Sequence, residues 1–137
     1  MLNSTLLLIK PNATAKNHIG AILKLLEEAG FIVDELRMLK MTRFLAEAFY
    51  SVHKDKYFFE DLIEFMMSAK TVACIVRKDD SIQELRELIG ATDPADAHDG
   101  TIRKLFGETL RRNAVHASDS LESAKREIGI LFPDYNP

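Results

Sequence analysis

The sequence predicts an α+β fold, a ferredoxin-like βαββαβ sandwich in which a four-stranded antiparallel sheet carries its helices on one face. Short β-prone apolar segments alternate with segments of helical spacing, roughly in the order β-α-β-α-α-β-α-β-α. Four strands are too few for a typical doubly wound dinucleotide-binding fold, and the glycine-rich phosphate loops of such folds are missing from the sequence. The length of 137 residues fits one domain, residues 1–137, with a sizeable core.

The first strand and the first helix are marked by their ends. The apolar run from Thr5 to Ile9 predicts a strand that stops before Pro11, because proline has no N–H to donate, and this leaves Lys10 at the strand end. Gly30 suits the position just past a helix. The apolar residues of that helix follow at i, i+3, i+4 and i+7: Ile19, Ile22, Leu23 and Leu26.

The middle of the chain repeats the alternation of strand and helix. Residues 31–41 predict a second strand from their length and β-branched start, and Thr42 can cap a short helix after it. Residues 58–66 place apolar side chains at helical spacing. Residues 71–76, Thr-Val-Ala-Cys-Ile-Val, predict a fully buried strand.

The last third predicts a helix, a loop, a short strand and a final helix. Ser81 and Glu84 have the spacing of a capping box, which opens a helix that ends at Gly90. Residues 113–116 predict a short strand, although only one of them is β-branched. The capping residues expected for the final helix are Asp119 and Glu122.

Composition and charge exclude several classes of protein. Hydrophobic residues make up 47% and charged residues 28%, as in a folded rather than a disordered chain. The 18 basic and 21 acidic side chains give a net charge of −3, which argues against binding of nucleic acid through charge. Cys74 is the only cysteine, so neither an intrachain disulfide nor a cysteine-based zinc site can form.

The sequence also predicts a cytoplasmic protein without a membrane partner. Its apolar runs are only a few residues long, far below the roughly 20 residues of a membrane-spanning helix. Residues 1–5 carry no basic stretch ahead of a long apolar segment, so we expect no signal peptide.

The densest polar cluster, residues 113–120, places a histidine between a short strand and a helix. His116 is well placed there to meet a ligand, since imidazole changes protonation near neutral pH. A second interpretation stays open, in which the polar side chains only cap the helix and His116 lies on the surface. The other histidines, His18, His53 and His98, show no metal-ligand spacing and are expected on the surface.

Three cations near predicted element ends form a second candidate group. Arginine binds phosphate oxygens with a planar fork and lysine binds them as a point charge, so together they can hold an anion. The alternative is that each is a solvated surface cation. The three residues are Lys10, Arg86 and Arg103.

Taken together, these residues resemble the nucleoside diphosphate kinase family over nearly the whole chain, from Thr5 to about Phe132. The His-x-Ser-Asp-Ser block at His116 is highly specific, and five further blocks precede it in the family's order. These are Ile9-Lys10-Pro11, Phe49-Tyr50 with His53, Phe58-Phe59, Arg86 to Thr92, and Gly100 to Arg103.

The resemblance implies reversible transfer of a γ-phosphoryl group, mainly from ATP, to nucleoside diphosphates. His116 matches the family's nucleophile, which carries the phosphoryl group on its pros nitrogen in a ping-pong mechanism. Glu127 matches the carboxylate that orients the imidazole, with Ser118 and Tyr50 as close neighbours. The positions that match the family's nucleotide-binding residues are Lys10, Phe58 (the aromatic that stacks on the base), Arg86, Thr92, Arg103 and Asn113.

The resemblance also implies partners and a cofactor. Mg²⁺ is expected to arrive on the β- and γ-phosphates, without direct protein ligands. A homo-oligomer built from dimers is expected, either a tetramer or a hexamer, and no specific nucleic acid. A sheet with helices on one face would leave its other face open, which also predicts self-association. The alternative function is a catalytically silent nucleotide-binding regulatory module on the same fold; the presence of His116 and of the phosphate-binding cations disfavours it.

The chain departs from the common family pattern at four places, which involve five residues. Asn12 stands at a usual aspartate, Tyr57 at a usual proline, Ala69-Lys70 at a usual Gly-Pro, and Ala117 at the glycine that follows the nucleophile. Ala117 lies closest to the chemistry. If its backbone requires a positive φ, alanine costs about 1 kcal/mol or more, and otherwise it is harmless. None of the four removes a group with a direct chemical role, so we expect activity to survive.

Overall fold

The computed structural model describes residues 2–136 and contains one antiparallel sheet within them. Its strands are β1 (Leu2–Ile9), β2 (Ile32–Leu39), β3 (Thr71–Asp79) and β4 (Val115–Ala117). They lie in the order β2-β3-β1-β4, with every neighbouring pair antiparallel. The predicted α+β fold with a four-stranded antiparallel sheet is confirmed.

Seven helices connect and cover the strands within the described residues. The predicted helices are present, with a short extra helix after the first strand and another before the last. Two 3₁₀ turns also form, Ser51–His53 and Pro94–Asp96. The helices are α1 (Pro11–Thr14), α2 (Ile19–Glu28), α3 (Arg43–Phe49), α4 (Phe59–Met67), α5 (Ser81–Ile89), α6 (Ile102–Phe106) and α7 (Leu121–Leu131).

Helices cover both faces of the sheet, which corrects the prediction of helices on one face. Leu7 and Ile9 of β1 pack into a core with α2, α5 and α6, whereas Leu6 and Leu8 pack into a second core with α3, α4 and α7. The crossover helices α2 and α5 share a face, as the handedness of βαβ units requires. The long connection from β2 to β3 and the C-terminal segment supply the helices of the other face. The open sheet face expected from the sequence does not exist within the described residues, and self-association itself stays a prediction.

Helix ends follow the sequence in some places and long-range contacts in others. Thr42 caps α3 as predicted, since its hydroxyl accepts the Leu45 N–H at 3.1 Å. The predicted capping box of α5 does not form, because Asp80 is the N-cap residue and Ser81 hydrogen-bonds the Asn3 side chain instead. The cap of α7 is Ser120 rather than Asp119, with its hydroxyl accepting the N–H of residue 123. Within residues 2–136, none of the helices has the length and apolar character needed to span a membrane.

Candidate active site

A cleft of about 500 Å³ lies beside β4. Its lining is drawn from strand ends, helices and loops of distant sequence position. Of the ten site residues that the sequence predicts, Ser118 is the one that does not line the cleft; it is buried and donates a hydrogen bond to Glu127. The cleft brings together nine of the ten site residues predicted from the sequence: Lys10, Tyr50, Phe58, Arg86, Thr92, Arg103, Asn113, His116 and Glu127.

His116 is the middle residue of β4 and lies opposite Leu8 of β1. Its strand neighbours Val115 and Ala117 belong to the first core, so the alternation of a strand turns His116 toward the opposite face. There the imidazole meets Phe49 and Tyr50 edge-on, at ring-centroid distances of 5.2 and 6.2 Å. The register of a three-residue strand therefore delivers the histidine to the cleft in a packed, fixed orientation.

The far side of the imidazole is held by Glu127. His116 Nε2 lies 2.8 Å from Glu127 Oε1, and the Ser118 hydroxyl donates to the same oxygen at 2.7 Å. A carboxylate can only accept, so Nε2 carries the hydrogen of this bond. In the neutral imidazole Nδ1 then keeps its lone pair, which is the form that a nucleophile needs.

The position of Glu127 follows from the buried stripe of α7. Ala124, Glu127, Ile128 and Leu131 have the i, i+3, i+4, i+7 spacing of one helix face and are all buried. A carboxylate on an apolar stripe is costly unless it is hydrogen-bonded, and here it has two partners. An acidic residue within such a stripe is a signal in the sequence that is independent of any family resemblance.

Lys10 and Asn113 tie three loops together. Lys10 Nζ donates to Asn113 Oδ1 at 2.9 Å, and Asn113 Nδ2 donates to the carbonyls of Thr92 and Leu110 at 2.9 and 3.0 Å. Burial, together with the charge of Arg103, lowers the pKa of Lys10 to about 7. Among the described residues no carboxylate forms an ion pair with the Lys10 ammonium, and a bound anion would supply that counter-charge.

Arg103 is a second buried cation of the cleft. Its Nη1 donates to the Gly90 carbonyl at 3.1 Å and its Nη2 to the Val115 carbonyl at 3.0 Å. Burial and the nearby Arg86 lower the pKa of Arg103 to about 10, so the guanidinium stays charged at neutral pH. Gly90 has φ +88°, and a Cβ there would lie 2.6 Å from Thr101 Oγ1, so this turn requires glycine.

Tyr50 supplies an uncommitted hydroxyl to the cleft. The residue is 5% exposed, and its buried oxygen finds no hydrogen-bond partner among the described residues. Burial, with a contribution from Glu127, raises the pKa of Tyr50, so the hydroxyl keeps its proton at neutral pH. A buried, unpaired donor lining a cationic cleft is suited to an oxygen of a ligand.

Sequence reasoning missed several cleft residues. The expectation that His53 lies on the surface is wrong, because it is half-buried and its ring stacks on Tyr50 at 6.3 Å. Burial lowers its pKa, with Lys56 adding to the shift. Arg111, from the loop before β4, is one of the four arginines among the described residues that line the cleft. Neither position has a periodic pattern that would mark it, since one lies in a 3₁₀ turn and the other in a loop.

Two departures from the family pattern find a structural explanation. Ala117 pairs with Leu7 in the sheet and has no positive φ, so alanine is harmless there. A positive φ of 77° occurs instead at the buried Ala114. Asn12 Nδ2 donates to Glu108 Oε2 at 2.9 Å and to the carbonyl of residue 112 at 3.0 Å, which an aspartate could not do.

The carboxylates of the cleft bear on how a metal ion would be held. Among the described residues, no group of three or more His, Cys, Asp and Glu side chains has a metal-binding arrangement. Asp119 and Glu127 are the carboxylates that line the cleft, and Glu127 is engaged with His116. This donor set fits a divalent ion whose ligands are mainly phosphate oxygens and water.

Comparison with known proteins places this geometry in a family. The family model for nucleoside diphosphate kinase matches residues 3–136. The nucleoside diphosphate kinase of Pasteurella multocida is 50% identical over 128 residues, which are 93% of this chain and 92% of that protein. That of Salinibacter ruber is 42% identical over 131 residues, 96% of this chain and 92% of that protein.

Solved structures agree with the sequence relatives. The nucleoside diphosphate kinase of Aquifex aeolicus superposes with a TM-score of 0.94 at 40% identity, covering 96% of each chain. The Halobacterium salinarum nucleoside diphosphate kinase, solved in complex with CDP, superposes with a TM-score of 0.93 at 33% identity, covering 98% of this chain and 90% of that one. The chain therefore belongs to the nucleoside diphosphate kinase family.

Proposed function

We propose that this protein transfers the γ-phosphoryl group of a nucleoside triphosphate, mainly ATP, reversibly to nucleoside diphosphates through a phosphohistidine at His116. The observation that carries the proposal is the bond of 2.8 Å between His116 Nε2 and Glu127, which leaves Nδ1 as the unprotonated nitrogen in a cationic cleft. The Halobacterium salinarum relative was solved with CDP, which supports a nucleotide as the ligand here.

The reaction has two half-steps. His116 Nδ1 attacks the γ-phosphorus in line, and a P–N bond forms. The bond from that phosphorus to the β-phosphate oxygen breaks, which releases a nucleoside diphosphate. The imidazole ring gains positive charge as the P–N bond forms, and the carboxylate of Glu127 stabilises that charge through Nε2–H. An oxygen of a second diphosphate then attacks the phosphorus, and the P–N bond breaks. Since phosphoimidazole is comparable in energy with a phosphoanhydride, both directions proceed.

The transferring phosphoryl spreads negative charge over its equatorial oxygens, and pre-positioned donors stabilise it. We assign this role to the cations and hydroxyls of the cleft. Asn113 holds the Lys10 ammonium in place, and Phe58 is assigned to stacking on the base. The phosphate-binding set is Lys10, Tyr50, Arg86, Thr92 and Arg103.

A divalent metal, which we take to be Mg²⁺, would bind to the nucleotide's phosphate oxygens and water. When bound, it neutralises part of the phosphate charge. The residues of the chain would act on the phosphates directly rather than as its ligands.

Incubation with a γ-labelled triphosphate tests the proposal. We expect label on the protein that a nucleoside diphosphate removes, with the acid-labile and alkali-stable behaviour of a phosphohistidine. His116→Ala should abolish labelling, while His98→Ala, on an exposed loop residue, should not. Full nucleotide exchange by the His116→Ala protein would refute the proposed phosphohistidine. Failure of the wild-type protein to be labelled would refute the proposal and favour a silent nucleotide-binding module.

We also propose that residues 1–137 form one nucleoside diphosphate kinase domain, and that dimers of it assemble into a tetramer or a hexamer of chains. The edge strand β2 supports association, since Ile32, Leu36 and Met38 are each about half exposed. Light scattering at micromolar concentration should give a multiple of the 15.5 kDa chain, and a monomer mass would refute the assembly.

The single cysteine, buried and unpaired, supports a cytoplasmic location.

A further inference from the structure

The outer end of the cleft carries an aromatic and cationic cluster, Tyr57, Phe58 and Arg111, which we call the rim cluster. The Arg111 guanidinium carbon lies over the Phe58 ring, 4.4 Å from its centroid, and 5.4 Å from the Tyr57 ring centroid. Arg111 Nη2 donates to the Tyr57 hydroxyl at 2.9 Å. The two aromatic rings meet edge-on at 5.5 Å. These contacts place the guanidinium over the ring that the proposed function assigns to the base.

Arg111 therefore lies beside the aromatic ring to which the proposed function assigns the base. Phe58 is partly exposed, and both Phe58 and Arg111 line the cleft, so a base that stacks on Phe58 must share the space around that ring with the guanidinium. The next residue toward the N-terminus, Leu110, also lines the cleft, so the backbone of this loop stays beside the bound base. When a base enters, the guanidinium is confined to the edge or the outer face of that base.

The contacts of Arg111 differ from those of the phosphate-binding arginine Arg103. Arg103 is 7% exposed and bonded to two backbone carbonyls, whereas Arg111 is partly exposed and touches aromatic rings and a phenol. A guanidinium held only by partly exposed side chains can exchange those contacts for two parallel hydrogen bonds with a base edge at little structural cost. Arg112, its neighbour, lies over Phe65 at 5.0 Å and does not line this cleft.

Resting on the proposed kinase function, we propose that Arg111 contacts the nucleobase and makes the site favour guanine nucleotides. Guanine presents two adjacent acceptors, O6 and N7, which match the arginine fork. Adenine offers N7 beside an amino group that repels a donor, and cytosine offers an amino group at the corresponding position. Because the rim is solvent-exposed, the preference is about tenfold rather than absolute, so other nucleotides remain substrates.

The test measures kcat/KM for GDP, ADP, CDP and 7-deaza-GDP as acceptors with one common triphosphate donor. For the wild-type protein we expect GDP to exceed CDP by about tenfold and 7-deaza-GDP, which lacks the N7 acceptor, to lose most of that advantage. In Arg111→Ala the GDP advantage should fall to about twofold, which is the preference that remains when stacking alone distinguishes the bases. Arg111→Lys, which keeps the charge and loses the fork, should resemble Arg111→Ala. Arg112→Ala is the matched control and should keep the wild-type ratio.

Each other outcome overturns the proposal. An unchanged GDP to CDP ratio in Arg111→Ala shows that Arg111 does not read the base. An equal loss for every acceptor, GDP and 7-deaza-GDP alike, shows a phosphate contact instead. Calorimetric binding of GDP and CDP to wild-type and Arg111→Ala protein gives the same comparison without catalysis. A protein that shows no phosphoryl transfer but loses its GDP preference in Arg111→Ala would refute the proposed function and leave this inference standing.

Discussion

The inner end of the cleft and its rim are built in opposite ways. At the inner end His116, Asn113 and Arg103 are bonded to a buried carboxylate or to backbone carbonyls, and Asn113 is only 2% exposed. At the rim Tyr57 is 90% and Leu110 49% exposed, and the rim cluster is held by contacts between side chains. Backbone anchors fix positions, whereas exposed side-chain contacts can rearrange at low cost.

This difference matches what varies among the substrates. All nucleoside di- and triphosphates share the phosphates and the reacting bond, so the groups that meet them can be fixed once for every substrate. The base differs between nucleotides, and we expect an adaptable aromatic and cationic rim to accept all of the bases with graded preference. The comparison predicts that inner changes reduce turnover for all nucleotides, while rim changes act mainly on binding.

The largest expected effect among the supporting residues is that of Glu127→Gln. The amide keeps the shape of the side chain but not its charge, so it no longer stabilises the imidazole as it becomes positive. We expect kcat to fall by about 10²-fold for every nucleotide, with KM nearly unchanged, because Glu127 bonds the histidine and is not among the residues assigned to nucleotide binding.

Glu122→Gln, on an exposed position of the same helix, is the matched control and should retain wild-type turnover. Thermal unfolding of both variants distinguishes lost chemistry from lost stability. A rise in KM without a fall in kcat would contradict the division between inner end and rim.

A smaller effect is expected at the rim from Phe58→Ala. Removal of the stacking face should raise KM for each nucleotide by about tenfold and leave kcat nearly unchanged, since stacking on a base contributes about 1–3 kcal/mol. Phe44→Ala is the control, because Phe44 is 83% exposed and outside the cleft. Steady-state kinetics with four bases provides the measurement, and a selective fall in kcat would show that the rim also positions the reacting phosphate.

The sequence predicted best where a pattern is local. The run at 71–76, buried on both faces, became β3, and the i, i+3, i+4 spacing at 19–26, which buries one face, became α2. It failed where a distant partner decides. The Ser81 hydroxyl bonds the side chain of Asn3, 78 positions away, instead of capping its helix. Helix α6 has only five residues, too few to show a helical period.

The same division applies to the site: some of its residues are recognisable in the sequence, and others are placed only by tertiary contacts. The family resemblance located His116 and its neighbours residue by residue. His53 and Arg111 reach the cleft through a 3₁₀ turn and an irregular loop, whose paths depend on packing rather than on periodicity. Covering of both sheet faces likewise required knowing where the helices between β2 and β3 would pack.

The smallest expected effect is the uptake of a proton by Lys10, at the inner end of the cleft, when a nucleotide binds. In the free protein the pKa of Lys10 is lowered from 10.5 to about 7 by burial and by Arg103. Between these two values the unfolded chain binds more protons than the folded one, so this group makes the free energy of unfolding rise with pH across that window. Phosphates return the pKa toward its ordinary value because they supply the missing counter-charge.

Nucleotide binding at pH 8.5 should therefore take up close to one proton, and the dissociation constant should rise by up to about tenfold per pH unit above pH 7. Calorimetry in buffers with different ionisation enthalpies measures the uptake directly. The pKa of His53 is lowered below its ordinary value, so His53 is neutral in the free protein at this pH, and His53→Gln separates any proton it binds with the nucleotide from that of Lys10. Lys10→Gln should abolish the uptake, whereas Lys54→Gln, an exposed lysine, should preserve it. Binding without proton uptake in the wild-type protein would mean that Lys10 is already charged in the empty cleft, and the inner end would then hold its cations without needing the phosphates.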